Sequence, residues 1–248
     1  MKLRIDKYLA DMGIGTRSEV KQYIRKKQVK INGTCPKGPE QKVEPGQDTI
    51  TFQGKEIGYV EMEYFMLNKP AGCVSATTDT KHKTVLDYIK EHSRRDLFPV
   101  GRLDIDTEGL LLITNDGALA HDLLAPGKHV PKTYYAKVAG CVTQEDVLLF
   151  EEGVDIGEEQ LTLPAKLKIL SVENVEEGCF SEIELTITEG KFHQVKRMFE
   201  AVGKKVVYLK RISMGTLVLD EKLKPGEYRQ LTKEELERLS GQLLSLYA

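Results

Sequence analysis

The chain has 248 residues, of which 40% are hydrophobic and 30% are charged, so it can form one large domain or a small domain and a larger one. No stretch approaches the roughly 18 apolar residues of a membrane span, and no apolar run follows the basic N-terminus, so neither a membrane protein nor a secretory signal is expected. The cysteines are too widely spaced for a Cys-x-x-Cys zinc site, which predicts reduced thiols in a cytoplasmic protein without a metal.

The formal net charge of −2 conceals an uneven distribution of charge. Residues 1–60 hold 12 Lys and Arg against 7 Asp and Glu, and residues 188–215 hold 7 against 2. Between these basic islands, residues 142–189 hold 13 acids and only 2 bases. This pattern predicts a bipartite surface for a polyanion, with the acidic stretch facing away from it.

The N-terminal region reads as two short helices followed by short strands. The first helix is predicted by apolar residues at i, i+3, i+4 and i+7, namely Ile5, Tyr8, Leu9 and Met12. The second begins at Thr16, which forms a capping box with Glu19. A basic ridge follows this helix at i, i+4 and i+8: Arg17, Lys21 and Arg25. The ridge is either a site for a phosphate backbone or a solvated helix face.

The order of residues in this region resembles the S4-like RNA-binding domain. The resemblance rests on three segments, Arg4-Ile5-Asp6-Lys7-Tyr8-Leu9, Thr16-Arg17-Ser18-Glu19 and Val29-Lys30-Ile31-Asn32-Gly33. It implies RNA binding and no chemistry. We therefore predict an S4-like domain over residues 1–58, a linker over 59–62 and a catalytic domain over 63–248.

The larger region contains more strands than helices. Apolar runs or alternation predict strands at 64–67, 109–114 and 132–138, a hairpin within 166–187 and a strand from Val206. A helix is predicted from Phe192 to Val202, with both of these residues inside and Gly203 as its C-cap, and a last helix from Thr232 to about Leu246. The expected fold class is α+β: the small S4-like domain, then a domain built on a large mixed, mainly antiparallel sheet with flanking helices.

A polar loop that leads into an apolar strand carries the most informative residues. Read from charge alone, Arg102, Asp104, Asp106 and Glu108 favour an acidic surface turn. However, Gly101-Arg102-Leu103-Asp104, with Thr107 and Gly109-Leu110-Leu111, resembles the signature of pseudouridine synthases, in particular the small-ribosomal-subunit branch. Further segments agree in order: 65–72, Lys132-Thr133-Tyr134, 189–198 and Pro225-Gly226-Glu227-Tyr228-Arg229.

The resemblance implies roles for three catalytic residues. Asp104 matches the family's catalytic carboxylate, which the family pairs with a basic residue. Helix geometry places Lys196 at the edge of the buried face and Arg197 towards solvent, so Lys196 is predicted as the partner of Asp104. Tyr134 is expected to stack on the target uracil, while Tyr135 faces the other side of the sheet.

The remaining basic residues are candidates for RNA contacts. Arg102 would fill the space left by an extruded nucleotide or hold its phosphate. Phosphate contacts are predicted for Lys69, Lys191, Arg197 and Arg211, each of which could equally be a solvated surface charge. His193 is either a structural residue or a further RNA contact.

The resulting prediction is a monomeric rRNA pseudouridine synthase without a cofactor. Its most specific form is that the enzyme modifies uridine 516 of 16S rRNA, either in naked RNA or in a ribosome-assembly intermediate. Three alternatives stay open at this point. They are a 23S rRNA synthase of the same family, a non-catalytic RNA-binding assembly factor, and a glycoside hydrolase that uses Asp104 with Asp106 or Glu108.

Overall fold

A computed structural model describes residues 2–176 and 178–245. The chain divides into two compact units, one formed by residues 1–63 with 90–97 and the other by 64–89 with 98–248. Within the described ranges, no helix is both long and apolar enough to cross a membrane.

The first unit contains two helices and five short strands in its described part. In chain order these are β1 Leu3–Arg4, α1 Ile5–Asp11, α2 Arg17–Arg25, β2 Val29–Ile31, β3 Lys42–Val43, β4 Ile50–Phe52 and β5 Lys55–Glu56. The predicted capping box is confirmed, because the Thr16 side chain accepts from the Glu19 amide while the Glu19 carboxylate accepts from the Thr16 amide. The apolar faces of both helices pack on β2 and β4, where Val29 and Ile50 are buried.

The segment predicted as a linker, 59–62, contributes to the packing of the first unit. The Tyr59 ring lies 4.9 Å from that of Tyr8, and its hydroxyl donates to Asp11 at 3.1 Å. Arg94, which is 3% exposed, donates to the Tyr59 hydroxyl and forms an ion pair with Asp96. A charge cluster between residues far apart in the chain therefore anchors this segment, and residue spacing alone gave no sign of it.

The second unit is built on one large sheet. Its strands are β6 Tyr64–Lys69, β7 Phe98–Pro99, β8 Glu108–Thr114, β9 Lys132–Ala139, β10 Lys166–Val175, β11 Gly178–Ile187, β12 Lys205–Met214, β13 Leu217–Val218 and β14 Tyr228–Gln230. Its α-helices are α3 Gly117–Leu124, α4 Gln144–Glu152, α5 Gln194–Ala201 and α6 Lys233–Ser245, and short 3-10 turns lie at Val85–Tyr88 and Pro126–Lys128. The main strand order is β10-β11-β9-β12-β8-β6-β14. These features confirm the predicted α+β class.

The parallel pair β8–β12 makes this otherwise antiparallel sheet mixed within the described ranges. Gly109, with φ +101°, lies opposite Arg211 in this pair. A Cβ at position 109 would lie 2.2 Å from the Arg211 carbonyl oxygen, so a side chain would push the two strands apart. Glycine is required here both for the backbone conformation and for the close approach.

Several local predictions require correction. Helix α5 begins at Gln194 rather than Phe192, because His193 adopts a left-handed conformation that a helix cannot contain. Phe192 therefore lies outside the helix and is 70% exposed instead of buried. Helices α3 and α4 were not predicted, since their short apolar patterns lack a clear period. The end of the last predicted helix, Leu246, lies outside the described residues.

The prediction of four reduced thiols is wrong for one pair. Cys141 and Cys179 form a disulfide with a Cα–Cα distance of 5.2 Å, while Cys35 and Cys73 are free. Antiparallel pairing of β11 with β9 brings the two cysteines together although they are 38 residues apart in the chain. Sequence spacing could not show this proximity, because it depends on the register of the sheet.

Candidate active site

A buried lysine holds the loop that contains Asp104 and leads into β8. Lys69, at the end of β6, is fully buried, and its ammonium donates to the carbonyls of Asp104 at 2.9 Å and Thr107 at 2.8 Å, with longer contacts to Pro70 and Ile105. Burial lowers the pKa of Lys69. Its position argues against the predicted phosphate contact, since the ammonium is occupied by backbone carbonyls that fix the loop.

The Asp104 carboxylate lies between two basic side chains. Lys196 Nζ is 3.0 Å from its Oδ2 atom, and His193 Nε2 is 3.5 Å from its Oδ1 atom. The Asp104 side chain is 25% exposed and Lys196 is 20% exposed, so the pair is accessible but partly desolvated. The contact expected from helix geometry is therefore present. His193, for which the sequence suggested a structural role or an RNA contact, is an additional neighbour of Asp104.

Lys196 also binds Asp106 Oδ1 at 2.6 Å. Burial alone would lower the pKa of Lys196, but its hydrogen bonds with Asp106 and Asp104 raise it above the ordinary value. The hydrogen bond from Lys196 likewise lowers the pKa of Asp106. The lysine is therefore positively charged at neutral pH and is held beside the carboxylates of Asp104 and Asp106.

The turn that precedes α5 is fixed by its own polar residues. Gln194 donates to Glu189 at 2.8 Å and accepts from the Lys191 amide. Arg197 donates to Glu158 and to the Ile156 carbonyl. Its guanidinium is therefore tied to the chain, not directed to solvent as predicted.

Lys191, predicted as a phosphate contact, is tied down in the same way. Its ammonium donates to the carbonyls of Gln160 and Leu161. Glu189 lines the cavity described next, so the stretch 142–189 does not face wholly away from the site. Glu158 and Glu189 of this stretch form ion pairs that hold Lys191 and Arg197 in place.

A cavity of about 590 Å³ opens in front of Asp104. Tyr134, 9% exposed on β9, and the exposed Arg102 contribute to its lining, whereas Tyr135 lies on the opposite face against Tyr208. Phe192 also lines it and stacks on His193 at 3.8 Å between ring centroids. The arrangement offers a charged carboxylate and an aromatic wall to a planar ligand.

Two buried cations complete the lining. Arg211 is 2% exposed and donates from Nε to the Leu110 carbonyl, so it is a buried residue rather than a surface contact as predicted. Lys132, 8% exposed, also lines the cavity and was not singled out from the sequence. Its place two residues before Tyr134 on an alternating strand was the available signal, because such residues share a face.

The basic ridge of the first unit has a different character. Arg17, Lys21 and Arg25 are all exposed on α2. None of the three forms a hydrogen bond or ion pair with the residues that the structure describes. They are available to a polyanion, and RNA binding by them stays a prediction.

Comparisons with known proteins agree with the site. Residues 63–201 match the RNA pseudouridylate synthase family and residues 3–48 match the S4 domain. The chain is 48% identical to the uncharacterized RNA pseudouridine synthase YtzG of Bacillus subtilis, with 96% of this chain and 98% of the relative covered. It is 41% identical to the ribosomal small subunit pseudouridine synthase A of Haemophilus influenzae, with 96% and 99% covered.

A solved structure described as a pseudouridylate synthase gives the same result at the level of the fold. It is 41% identical in sequence, superposes with a TM-score of 0.66, and the match covers 96% of this chain and 99% of the other. The similarity extends over both units of the protein. The chain belongs to the RNA pseudouridylate synthase family and carries an S4 domain at its N-terminus.

Proposed function

We propose that this pseudouridine synthase modifies a uridine of the small-subunit rRNA and that Asp104 is its catalytic carboxylate. The observation that carries the proposal is the Asp104–Lys196 ion pair, which lines the same cavity as Tyr134. Isomerisation of uridine involves no redox change and no net hydrolysis, so the groups present are chemically sufficient.

The Asp104 carboxylate can act in either of two ways. It can attack C1′ as a nucleophile, or it can remove the proton from C2′ to give a glycal, and both roles require the ionised form. Lys196 would support both by placing a positive charge beside one carboxylate oxygen and orienting it. Tyr134 would stack on the uracil and keep the detached ring in the cavity while it turns.

Access to the target requires a base that has left its stack. Extrusion costs a few kcal/mol and least where the RNA is already single-stranded or looped. The exposed Arg102 at the cavity would occupy the vacated position or hold the neighbouring phosphate. The S4 domain, through Arg17, Lys21 and Arg25, would add sequence-independent affinity for the RNA backbone.

The small-subunit target is supported by the relatives. Curated relatives at 39–41% identity are named ribosomal small subunit pseudouridine synthase A. On the basis of these names we propose 16S rRNA as the substrate of the present chain and uridine 516 as the modified position. The substrate would be naked 16S rRNA or an assembly intermediate.

The test compares the native protein with Asp104→Asn on 16S and 23S rRNA, each naked and as an assembly intermediate. Carbodiimide labelling and primer extension then map new pseudouridine. With the native protein we expect one new stop in 16S rRNA. Asp104→Asn should form this pseudouridine at least about 10⁴-fold more slowly, because the carboxylate acts directly on the sugar. RNA binding by the variant should be unchanged.

Other outcomes are equally informative. A stop in 23S rRNA alone would contradict the small-subunit target and keep the catalytic residue. Full activity of Asp104→Asn would contradict its catalytic role. RNA binding without any stop would favour an assembly factor that keeps the fold.

A further inference from the structure

The cavity contains two cations for which neither route through Asp104 supplies a role. Lys132 and Tyr134 lie at i and i+2 on β9 and so share a face of the sheet. Arg211 is the partner of Tyr134 on the neighbouring strand β12. All three side chains line the cavity, and Lys132 and Arg211 are 8% and 2% exposed.

Neither cation is neutralised by a carboxylate of the residues that the structure describes. Lys132 donates to the Val130 carbonyl at 2.9 Å, and Arg211 Nε donates to the Leu110 carbonyl at 2.8 Å. Arg211 Nη2 is buried without a hydrogen-bond partner, and within the described ranges no carboxylate forms an ion pair with either residue. Buried charges are normally paired, so this arrangement leaves room for a negative charge that the ligand brings.

The electrostatics of Lys132 agree with this reading. Burial, and to a lesser degree the nearby Arg211, lower the pKa of Lys132 to about 8. A carboxylate close by would have raised the pKa instead. The same cavity also holds the buried Thr107 hydroxyl, another polar atom without a partner among the described residues.

We propose that Lys132 and Arg211 stabilise the negative charge that develops on the uracil ring when its bond to the ribose breaks. The proposal rests on the pseudouridine synthase activity of the site, whichever rRNA is the substrate. Groups that are preorganised where charge develops in a transition state are among the largest contributors to catalysis.

The step balances without any further reactant. The C1′–N1 bond breaks and its electron pair leaves with N1, giving a uracil anion delocalised over N1, O2 and O4. The sugar is retained either as an ester of Asp104 or, after transfer of the C2′ proton to Asp104, as a glycal. A C1′–C5 bond then forms as the ester bond to Asp104 breaks or, in the glycal route, as Asp104 returns the proton to C2′. The proton lost from C5 is replaced by one gained at N1, so Asp104 is regenerated as a carboxylate.

A backbone phosphate is a less suitable occupant. It is joined to the RNA chain on both sides, so it cannot easily enter among side chains that are 2% and 8% exposed. A base is a terminal group that can be inserted edge first beside Tyr134. The two possibilities differ in what they predict, since a phosphate contact contributes to RNA binding, whereas a charge that develops in the reaction contributes to the rate.

The first test measures single-turnover rates and RNA affinity for Arg211→Met and Lys132→Met on the RNA that the native protein modifies. Each variant should lower the rate about 10²–10³-fold and leave the dissociation constant within threefold, by analogy with removal of one oxyanion donor. Loss of affinity with an unchanged bound-state rate would overturn the proposal and favour a phosphate contact.

Controls separate this role from a structural one. Lys210→Met removes a charge from the same strand on the opposite face and should leave the rate unchanged. Arg211→Lys keeps the charge and should recover much of the rate lost in Arg211→Met. The thermal midpoint of Arg211→Met should be unchanged or higher, because an apolar residue replaces an unpaired buried charge. Should Arg211→Met fail to fold, Arg211→Lys and Lys132→Met decide the question.

A leaving-group test is more specific. Fluorine at C5 stabilises the departing anion, so an RNA with 5-fluorouridine at the mapped position depends less on the two cations. The loss of rate in Arg211→Met, measured as consumption of the starting nucleoside, should be several-fold smaller with this RNA than with uridine. An identical loss for both substrates would overturn the proposal.

Failure of the proposed substrate would be distinguishable. If the native protein modifies no rRNA tested, binding of free 5-nitrouracil, largely an anion at neutral pH, replaces the kinetic test. Calorimetry or nuclear magnetic resonance titration should show that the anion binds to the native protein at least tenfold more tightly than to Arg211→Met. The affinity of neutral uracil should be the same for both proteins. Equal affinities, or no binding of the anion, would overturn the proposal.

Discussion

Basic side chains have opposite surroundings in the two units of this protein. On α2 of the first unit, Arg17, Lys21 and Arg25 are exposed and have no partner among the described residues. In the second unit, Lys196 is paired with Asp104, and Lys69 is buried among backbone carbonyls. The same residue types are therefore exposed on the α2 ridge and held by short-range contacts in the second unit.

The difference shows that a count of charges along the sequence does not identify their function. Exposed charges are screened within about 10 Å at ordinary ionic strength, whereas partly buried pairs are screened much less. The α2 ridge should therefore act on RNA affinity and depend on salt. The buried cations should act on the bound-state rate and depend little on salt.

Three substitutions test this comparison between the units, and the one at Lys196 is expected to have the largest effect. Lys196→Met should lower the single-turnover rate about 10²–10³-fold at saturating enzyme, because the Asp104 carboxylate loses the positive charge that orients it. RNA affinity should not change. Lys168→Met, which removes an exposed ion pair with Glu184, is the matched control and should retain full activity. A larger dissociation constant with a normal bound-state rate would show that Lys196 acts on RNA binding instead.

The next effect concerns stability and pH. The pKa of Lys132 is about 8 in the folded protein, below the roughly 10.4 of an unfolded lysine. Between these values the unfolded chain binds more protons, so this residue makes stability rise with pH, by up to about 3 kcal/mol. Urea denaturation of the native protein and Lys132→Met from pH 7 to 10.5 should show this rise only in the native protein. Parallel curves would contradict a buried, unpaired Lys132.

The smallest effect is expected on the α2 ridge. Replacing Arg17, Lys21 and Arg25 together by Gln should weaken RNA binding about 10–100-fold at low salt and reduce the salt slope by about 2. The bound-state rate should be unchanged, and the difference should fade at high salt. A control that replaces the exposed Lys37, Lys42 and Lys55 has the same net charge and should bind nearly normally. Equal losses in both triple variants would show that net charge, not the ridge, governs affinity.

Local signals in the sequence predicted much of the fold. The Thr16–Glu19 capping box defines the start of α2, and alternating residues place Tyr134 and Tyr135 on opposite faces of β9. The Arg-Leu-Asp motif and helix geometry led to Asp104 and Lys196, whose side chains are in contact. Such features depend on residues a few positions apart, for which helical and strand periods are reliable guides.

Other features depended on pairings between distant parts of the chain. The hydrogen bond from Arg211 to the Leu110 carbonyl joins residues 101 positions apart, and it requires the parallel pair that Gly109 permits. The burial of Lys69 and the restraint of Arg197 by Glu158 arise in the same way. A basic residue has the same local pattern whether it is solvated, paired or buried, because the desolvation that distinguishes these states comes from residues elsewhere in the chain.

The amino-acid sequence by itself determined the family, the order of the two domains and the aspartate that lies at the cavity. The tertiary structure alone decided which cations are exposed, which hold the Asp104 loop and which line the cavity without an ion pair among the described residues. The physical reason is that residue identity sets the charge of a group, whereas burial and the distance to its neighbours set the energy of that charge.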